Sequence, residues 1–486
     1  MRYRTRDISL FAVVVALVVL WAVLASAPKS SAIPAFSRKY QTSCTTCHNN
    51  YPELNDFGEA FKKNGFKFPK DDETFVKEPP VLLGAKAQKQ AFPEAVYPGE
   101  IPGFLPVAFR YEGNFTLNRK QPAGFIAENG FTPRTDLFAP NTFTIISAGS
   151  FGQNLSFWVD DDISVDAGNA NGTMGDGWLK YSDLGHGIGL PKNALNVRFG
   201  QFEMDLPFTQ AKSIYLSPYD IYFETAVGPA GTTTNNPLIF GSPQRGIEFG
   251  GTPNNANFDW SVAVINGNNA GNAVRSSKDV YIRLSQRFNL ERDPESRNAI
   301  QAAGPTGPRD HTSIRFGFYY YHGNNQQNQN GTTFPGILST VEDPFYRVGG
   351  DLRFKYRHLE LFGLGMYGHD DNHLFTLGPP ATIAPTSPVT FSGGFAGANY
   401  WFYPWVIGTF HYDVVNSHSD FINGAPASEH QTRNRFSPGF QILARANIKI
   451  VGEYQYTFGR PYSDPVTGNT LFFRPNAFQA GIDYVF

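Results

Sequence analysis

From Val107 to Phe486 the chain alternates apolar and polar residues in segment after segment, the period-two signature of β-strands. In 107–118, Val107, Phe109, Tyr111, Phe115 and Leu117 share one face, and Arg110, Glu112, Asn114 and Thr116 the other. In 351–357, Leu352, Phe354 and Tyr356 alternate with Asp351, Arg353, Lys355 and Arg357. In 447–458, Ile448, Ile450, Tyr454, Tyr456 and Phe458 alternate with Lys449, Glu453, Gln455 and Thr457. About sixteen such segments are predicted, at 107–118, 142–150, 153–162, 176–182, 194–204, 246–252, 257–265, 278–288, 312–322, 346–357, 358–369, 390–402, 403–415, 434–446, 447–458 and 474–486. A soluble sandwich alternates too, so periodicity alone does not choose the fold.

Two further features choose it. The alternation runs to an aromatic last residue, Phe486, and so resembles the C-terminal signature of bacterial outer-membrane barrels. The connections also differ by parity: the tightest turns follow the second, sixth, tenth, twelfth and fourteenth segments, whereas 205–245, 370–389, 416–433 and 459–473 are long and follow odd ones. Short turns on one side and long loops on the other is the outer-membrane arrangement. The expectation is a mainly β protein, a transmembrane antiparallel β-barrel of about 16 strands over 107–486. Sixteen strands leave room for water or a plug. The long connection 289–311 breaks the parity.

The N-terminus reads as an address. Arg2, Arg4 and Arg6 precede an apolar run from Leu10 to Ala25, followed by small residues up to Ala32. This predicts a signal peptide over 1–32, cleaved after Ala32, because the run is short for a membrane span of about 20 residues. A Pro-rich linker over 71–106 leads to the first strand, and 33–70 is left as a small domain.

That domain holds both cysteines, as Cys44-Thr45-Thr46-Cys47-His48. C-x-x-C-H is the attachment signature of c-type haem: two thiols form thioethers, and the adjacent imidazole ligates the iron. The other His48 nitrogen should then be held by a hydrogen bond. A thioredoxin-like redox pair, half a zinc site and chance are the alternatives. The first wants a βαβ context, and the second wants two nearby ligands, yet the next histidine is His186. Leu54, Phe57 and Phe61 fall on one helical face, with Pro52 and Asn55 suited to a helix start and Asn64-Gly65 to its stop. Phe36, Phe66 and Phe68 are candidates to close over the haem edge. The expectation is a small α-helical monohaem domain with one covalent heme c on Cys44, Cys47 and His48.

Composition narrows the partners. Lys+Arg is 40 against Asp+Glu 42, and removing 1–32 leaves 36 against 41, a net charge of −5. Such a chain is no nucleic-acid binder. Aromatic residues make up 15%, which fits lipid-facing strands and interface girdles. No general acid, base or nucleophile constellation for hydrolysis or group transfer stands out.

Other candidates carry less. Segment 33–103 offers no methionine or second histidine as a sixth haem ligand, which leaves the iron five-coordinate or bound by Lys, Asn, Tyr or a residue from the barrel. Met174, Met204 and Met366 are the mature methionines, each more simply read as core or surface. His411 falls in phase with Thr409 and Asp413, facing the lumen, as a candidate distal ligand. His369-Asp370-Asp371-Asn372-His373 is a candidate metal cluster in a long outer loop. Asp160-Asp161-Asp162 is a candidate cation attractor at the barrel rim.

The stretch Ala35-Phe36-Ser37-Arg38, Ser43-Cys44 through Leu54, Phe57-Gly58, Phe61-Lys62 and Gly65 resembles the haem segment of the fused monohaem cytochrome–porins of bacterial outer membranes. The likeness is specific over 33–68 and only architectural over the barrel. It implies that Cys44, Cys47 and His48 carry the haem. It implies electron transfer across the outer membrane, between an extracellular redox donor such as Fe(II) and a periplasmic c-type cytochrome or other electron carrier. Lys39-Tyr40 and Asp56-Phe57 depart from the iron-oxidising members and bear on the substrate. The alternatives are a solute-conducting porin with a haem plug or sensor domain, and a haem enzyme acting at a vacant sixth site.

Overall fold

The computed structural model describes residues 35–486 apart from 69–71, 78, 80, 83–89, 95–99, 120–133, 153, 164–172, 210–214, 218, 224–239, 254–256, 268–275, 291–311, 329–339, 375–385, 418–420, 423–424, 427–432, 458–461, 464–469 and 472–475. The expected signal peptide and the anomalous connection 289–311 lie almost wholly outside the described residues.

Sixteen antiparallel strands close into one barrel. They are β1 Val107–Asn118, β2 Thr135–Phe151, β3 Leu155–Ile163, β4 Thr173–Tyr181, β5 Asn196–Phe202, β6 Gln244–Gly251, β7 Phe258–Ile265, β8 Asp279–Asn289, β9 Ser313–Asn328, β10 Thr340–Tyr356, β11 Leu359–Leu374, β12 Thr386–Tyr403, β13 Val406–Ser417, β14 Arg433–Arg445, β15 Ile448–Thr457 and β16 Ala477–Val485. Each pairs with its sequence neighbours, and β16 returns to β1. At the seam Phe486 N–H donates to the Phe109 carbonyl at 2.8 Å, and Phe109 N–H donates back at 2.7 Å. Closure leaves no strand edge, so the ladder satisfies the backbone groups without water.

The wall is polar inside and apolar outside. Along β10, Asp351 and Lys355 are buried while Leu352 and Tyr356 are exposed. Along β15, Lys449, Glu453 and Gln455 are buried while Tyr454 and Tyr456 are exposed. A soluble sandwich buries the opposite face, so this inversion is what a lipid-facing barrel requires. No helix among the described residues is long and apolar enough to cross a membrane.

The sixteen predicted segments each find a strand. Five run four or more residues further than the alternation indicates: β2 starts at Thr135, β9 reaches Asn328, β10 starts at Thr340, β11 reaches Leu374 and β12 starts at Thr386. The Asn/Gln-rich end of β9 pairs Asn324–Asn328 with Thr340–Pro344, although neither face of it is apolar. The ladder holds it there, and hydropathy carries no trace of that. The short turns fall where expected, with two residues after β10, β12 and β14.

Two segments fill the lumen. The first is the N-terminal unit: α1 (Ala35–Tyr40), a one-turn 3-10 helix (Cys44–Thr46), a tiny hairpin (His48–Asn50 with Glu53–Leu54) and α2 (Asp56–Lys63). It plugs the short-turn end, bonded around much of the wall. Arg287 pairs with Asp56 at 2.8 Å, Arg315 with Glu59 at 2.8 Å and Arg353 with Glu53 at 3.1 Å. Lys63 pairs with Asp259, Asn50 donates to Gln441, and Arg38 donates to the Val107 carbonyl. Lys67 reaches the Gly152 carbonyl of the β2–β3 turn at 2.6 Å, and Asn193 donates to Asn64 at 2.8 Å.

The second is the β5–β6 connection. Its described parts, including α3 (Asp220–Phe223), turn into the barrel rather than standing outside as a long outer loop. Met204, Leu206, Phe208, Tyr219, Tyr222 and Phe240 are all buried. They meet inward-facing Tyr281, Tyr319, Tyr321, Phe362 and Phe395, with Tyr219 stacked on Phe395 at 3.7 Å. Arg435 pairs with Asp220 at 2.8 Å, and Tyr215 donates to Asn399 at 2.6 Å.

Candidate functional site

Between the plug and the in-turned loop lies a cavity of about 910 Å³. Cys44, Cys47 and His48 all line it. Its size is near the top of the range of about 300–1,000 Å³ typical of ligand and cofactor sites.

The local sequence explains the motif's shape. Ser43 caps the 3-10 turn, its hydroxyl accepting Thr45 N–H at 3.4 Å. Asn55 caps α2, its Oδ1 accepting Gly58 N–H at 2.8 Å. The same side chain donates from Nδ2 to the Thr46 carbonyl at 3.1 Å and the Thr45 carbonyl at 3.4 Å. Asn55 N–H also donates to the Cys47 carbonyl at 3.0 Å. One residue therefore starts α2 and clamps the Cys44–Cys47 turn against it. The expected helix start and the stop at Asn64 are both present.

His48 is fixed through one ring nitrogen. Its Nδ1 lies 3.2 Å from the Pro52 carbonyl, so Nδ1 carries the proton and Nε2 is the free lone pair. Burial pushes the imidazole down to about 4, so it is neutral at physiological pH. Burial raises the Cys44 thiol, and burial together with the neighbouring Cys44 pushes Cys47 up to about 12. Redox C-x-x-C pairs work through a lowered pKa, so this environment is the reverse of a thioredoxin-like one.

The cavity's apolar side is aromatic. Phe36 stacks on Phe66 at 4.8 Å and meets Phe61 edge-on at 5.1 Å, and Tyr40 stacks on Phe68 at 4.1 Å. Phe36, Phe66 and Phe68 all line the cavity, and so does Tyr40. Tyr40 donates to Asp72 at 2.6 Å. Phe66 continues onto the wall, 5.9 Å from both Trp158 and Trp178. Tyr51 lies beside His48 at 5.2 Å between ring centroids, with Arg110 over its face at 5.3 Å. Leu206, Phe208, Tyr215 and Leu216 supply lining from the in-turned loop.

These features fit a covalent haem. Two thiols and a neutral imidazole with a free Nε2 face one cavity, which aromatic rings flank and charged side chains of the wall surround.

The structure also places three other candidates. His411 does face the lumen and is buried, but it does not line this cavity. Its Nε2 lies 3.2 Å from Ser217 Oγ and 3.1 Å from Asp413, behind the in-turned loop. The run from His369 is not an outer loop but the end of β11, which splays it: Asp370 pairs with Arg347 at 2.8 Å, and His369 with Asp371 at 2.9 Å. Asp160 and Asp162 lie at the loop end of β3 and line the cavity as well, Asp160 accepting the Trp158 indole N–H at 2.5 Å. The in-turned loop itself was missed. A signal existed: Phe362, Leu364 and Met366 are apolar on the face that should be polar, which asks for an apolar occupant of the lumen.

No protein-family model matches the chain, and no curated protein does. Among solved structures it is similar to the outer membrane channel DcaP of Acinetobacter baumannii, at 13% identity over 78% of this chain and 96% of that one, with a TM-score of 0.48. It is similar to Salmonella typhi OmpF in complex with daunomycin, at 12% identity over 79% and 98%, TM-score 0.48. It is similar also to the anion-selective porin from Comamonas acidovorans, at 12% identity over 78% and 98%, TM-score 0.47.

Proposed function

We propose that this protein is an outer-membrane electron conduit, a porin-like barrel whose lumen holds one covalent haem on Cys44, Cys47 and His48. The observation that carries the reading is that these three residues line one cavity inside the barrel, between a plug and an in-turned loop. The bound group supplies a one-electron carrier. The chain does the rest. Cys44 and Cys47 tether the group, and His48 presents Nε2 to the iron. Asn55 and the Pro52 carbonyl fix those atoms in place. The aromatic side keeps water from one face of the cavity, and the plug and loop obstruct the bore. Electrons then pass between an extracellular donor, Fe(II) being the class the sequence resemblance implies, and a periplasmic carrier at the short-turn end. The outward apolar belt of the strands supports placement in the outer membrane.

Reconstitution in liposomes tests the reading. Reduction of the haem by Fe(II) added outside, with low ion conductance, is the expected result. A haem that no external reductant reaches, in a barrel that passes ions freely, contradicts it.

A second reading, a solute-conducting porin with a haem plug or sensor, is favoured by the barrel itself. Sixteen strands make a lumen wide enough for an aqueous channel, and the lumen wall is largely polar. High conductance without electron transfer in the same experiment selects it.

A further inference from the structure

We infer that Lys449, on β15, is a positioning residue for His48: the barrel wall, and not the plug alone, fixes the carbonyl to which the imidazole gives its Nδ1 proton. The inference rests on the haem reading above and adds what would tune that haem.

His48 opens a turn that holds itself weakly. The hairpin has two bridging pairs, His48 with Leu54 and Asn50 with Glu53, and its register shifts between them. A hairpin of this size is not stable by itself. Within the turn, Asn49 donates to Glu53 at 3.1 Å. Yet the Pro52 carbonyl, 3.2 Å from His48 Nδ1, sits in this turn.

The wall supplies what the turn lacks. Lys449 Nζ donates to the Tyr51 carbonyl at 2.7 Å, one residue before the acceptor of the His48 proton. Asp483 holds the Lys449 ammonium at 3.1 Å and is itself held by Arg110 at 2.9 Å. Arg110 lies over the Tyr51 ring at 5.3 Å, and that ring meets the His48 imidazole edge-on at 5.2 Å. Asn50 donates to Gln441 of β14, and Glu53 pairs with Arg353 of β10 at 3.1 Å. Lys449, Asn50, Gln441 and Glu53 are all buried, so these bonds are made away from solvent. Asn50, Tyr51 and Glu53 each have a partner on the wall, and Pro52 is held between them. Among these grips, Lys449 takes the main chain itself, next to the acceptor.

The hydrogen bond on the outer nitrogen of a ligating histidine makes the inner nitrogen more basic. A more basic ligand favours ferric iron, so a firmly held Pro52 carbonyl lowers the potential. Removing Lys449 then has two effects of opposite sign. Loss of a nearby cation, taken alone, favours the ferric state and lowers the potential. A slack turn weakens the Nδ1 bond and raises it. The direction of the shift separates positioning from charge.

The test uses the purified full-length holoprotein, titrated potentiometrically with the haem spectrum as readout. Covalent haem is first scored by its pyridine haemochrome; its absence from an assembled barrel overturns the haem reading, and this inference with it. With haem present, Lys449→Met should keep the haem yield but raise the potential, so that the ferrous-to-ferric ratio at a fixed applied potential rises severalfold. Lys449→Arg keeps a cation and a donor, and should return most of that shift. Gln441→Leu changes no charge, releases Asn50 and should also raise the potential. A potential lowered or unchanged in Lys449→Met overturns the assignment and leaves the haem reading standing. Gln441→Leu decides in the same way if Lys449→Met does not accumulate.

Discussion

The Cys47 carbonyl occupies the place of a side chain on Gly58: a Cβ built there would lie 2.0 Å from the Cys47 oxygen. Helix α2 can lie against the Cys44–His48 turn only because residue 58 has no side chain. Gly58→Ala should force the helix and the turn apart, at a cost of about 1–3 kcal/mol for overpacking. We expect a markedly lower yield of covalent haem, read by haem staining, with heat-modifiable barrel migration unchanged. Normal haem content would show that the contact does not matter.

Asn55 makes the complementary contact, binding the turn from Nδ2 and capping α2 from Oδ1. Asn55→Ala should destabilise the plug by about 0.5–2 kcal/mol for the cap. Asn55→Asp keeps the cap acceptor but loses the Nδ2 donor, and should fall between wild type and alanine. Denaturant release of the plug, followed by Trp158 and Trp178 fluorescence, measures the order.

The loop latch offers a conductance test. Arg435 and Asp220 pair at 2.8 Å, and both side chains are buried. Removing one partner of a buried pair costs roughly 3–5 kcal/mol. Asp220→Ala should loosen the in-turned loop and raise single-channel conductance severalfold. Shortening the loop between residues 208 and 239 should do so more strongly. Unchanged conductance in both would mean that the loop does not obstruct the bore.

Lys39 gives a pH signature. Burial, outweighing the attraction of Asp72, lowers its ammonium from the ordinary 10.5 to about 8. Below pH 8 both folded and unfolded chains hold the proton, and the burial cost is present in full. Between pH 8 and 10.5 the unfolded chain binds more protons than the folded one, so stability rises with pH, by at most about 1.4 kcal/mol per unit. Lys39→Met should flatten that rise between pH 8 and 9.5 in denaturant titrations. An unchanged slope would assign it to other groups.

Much of this was legible in the sequence because lipid imposes alternation on every strand, and the Cys44–His48 motif is local. The positions of Asn55 and Asn64 were legible as helix ends because capping depends on residues a few places apart. The in-turned loop was not, because what turns it inward is contact with Phe362, Phe395 and Arg435, more than a hundred residues away. The strand ends of β9 to β12 escaped for a related reason: their pairing rests on backbone bonds that polar sequence neither favours nor forbids. His411 was placed correctly in the lumen, but period-two phase does not show that Tyr215 and Ser217 of the in-turned loop lie against it and screen it from the cavity.

The central claim is a haem fixed covalently in the lumen, and peptide mass spectrometry of the purified mature protein tests it most directly. The account predicts one peptide containing Cys44, Cys47 and His48 that carries the mass of a single haem on two thioether bonds, with neither cysteine alkylable. The same peptide found at its unmodified mass, with both thiols free to alkylate or joined to each other, would contradict it.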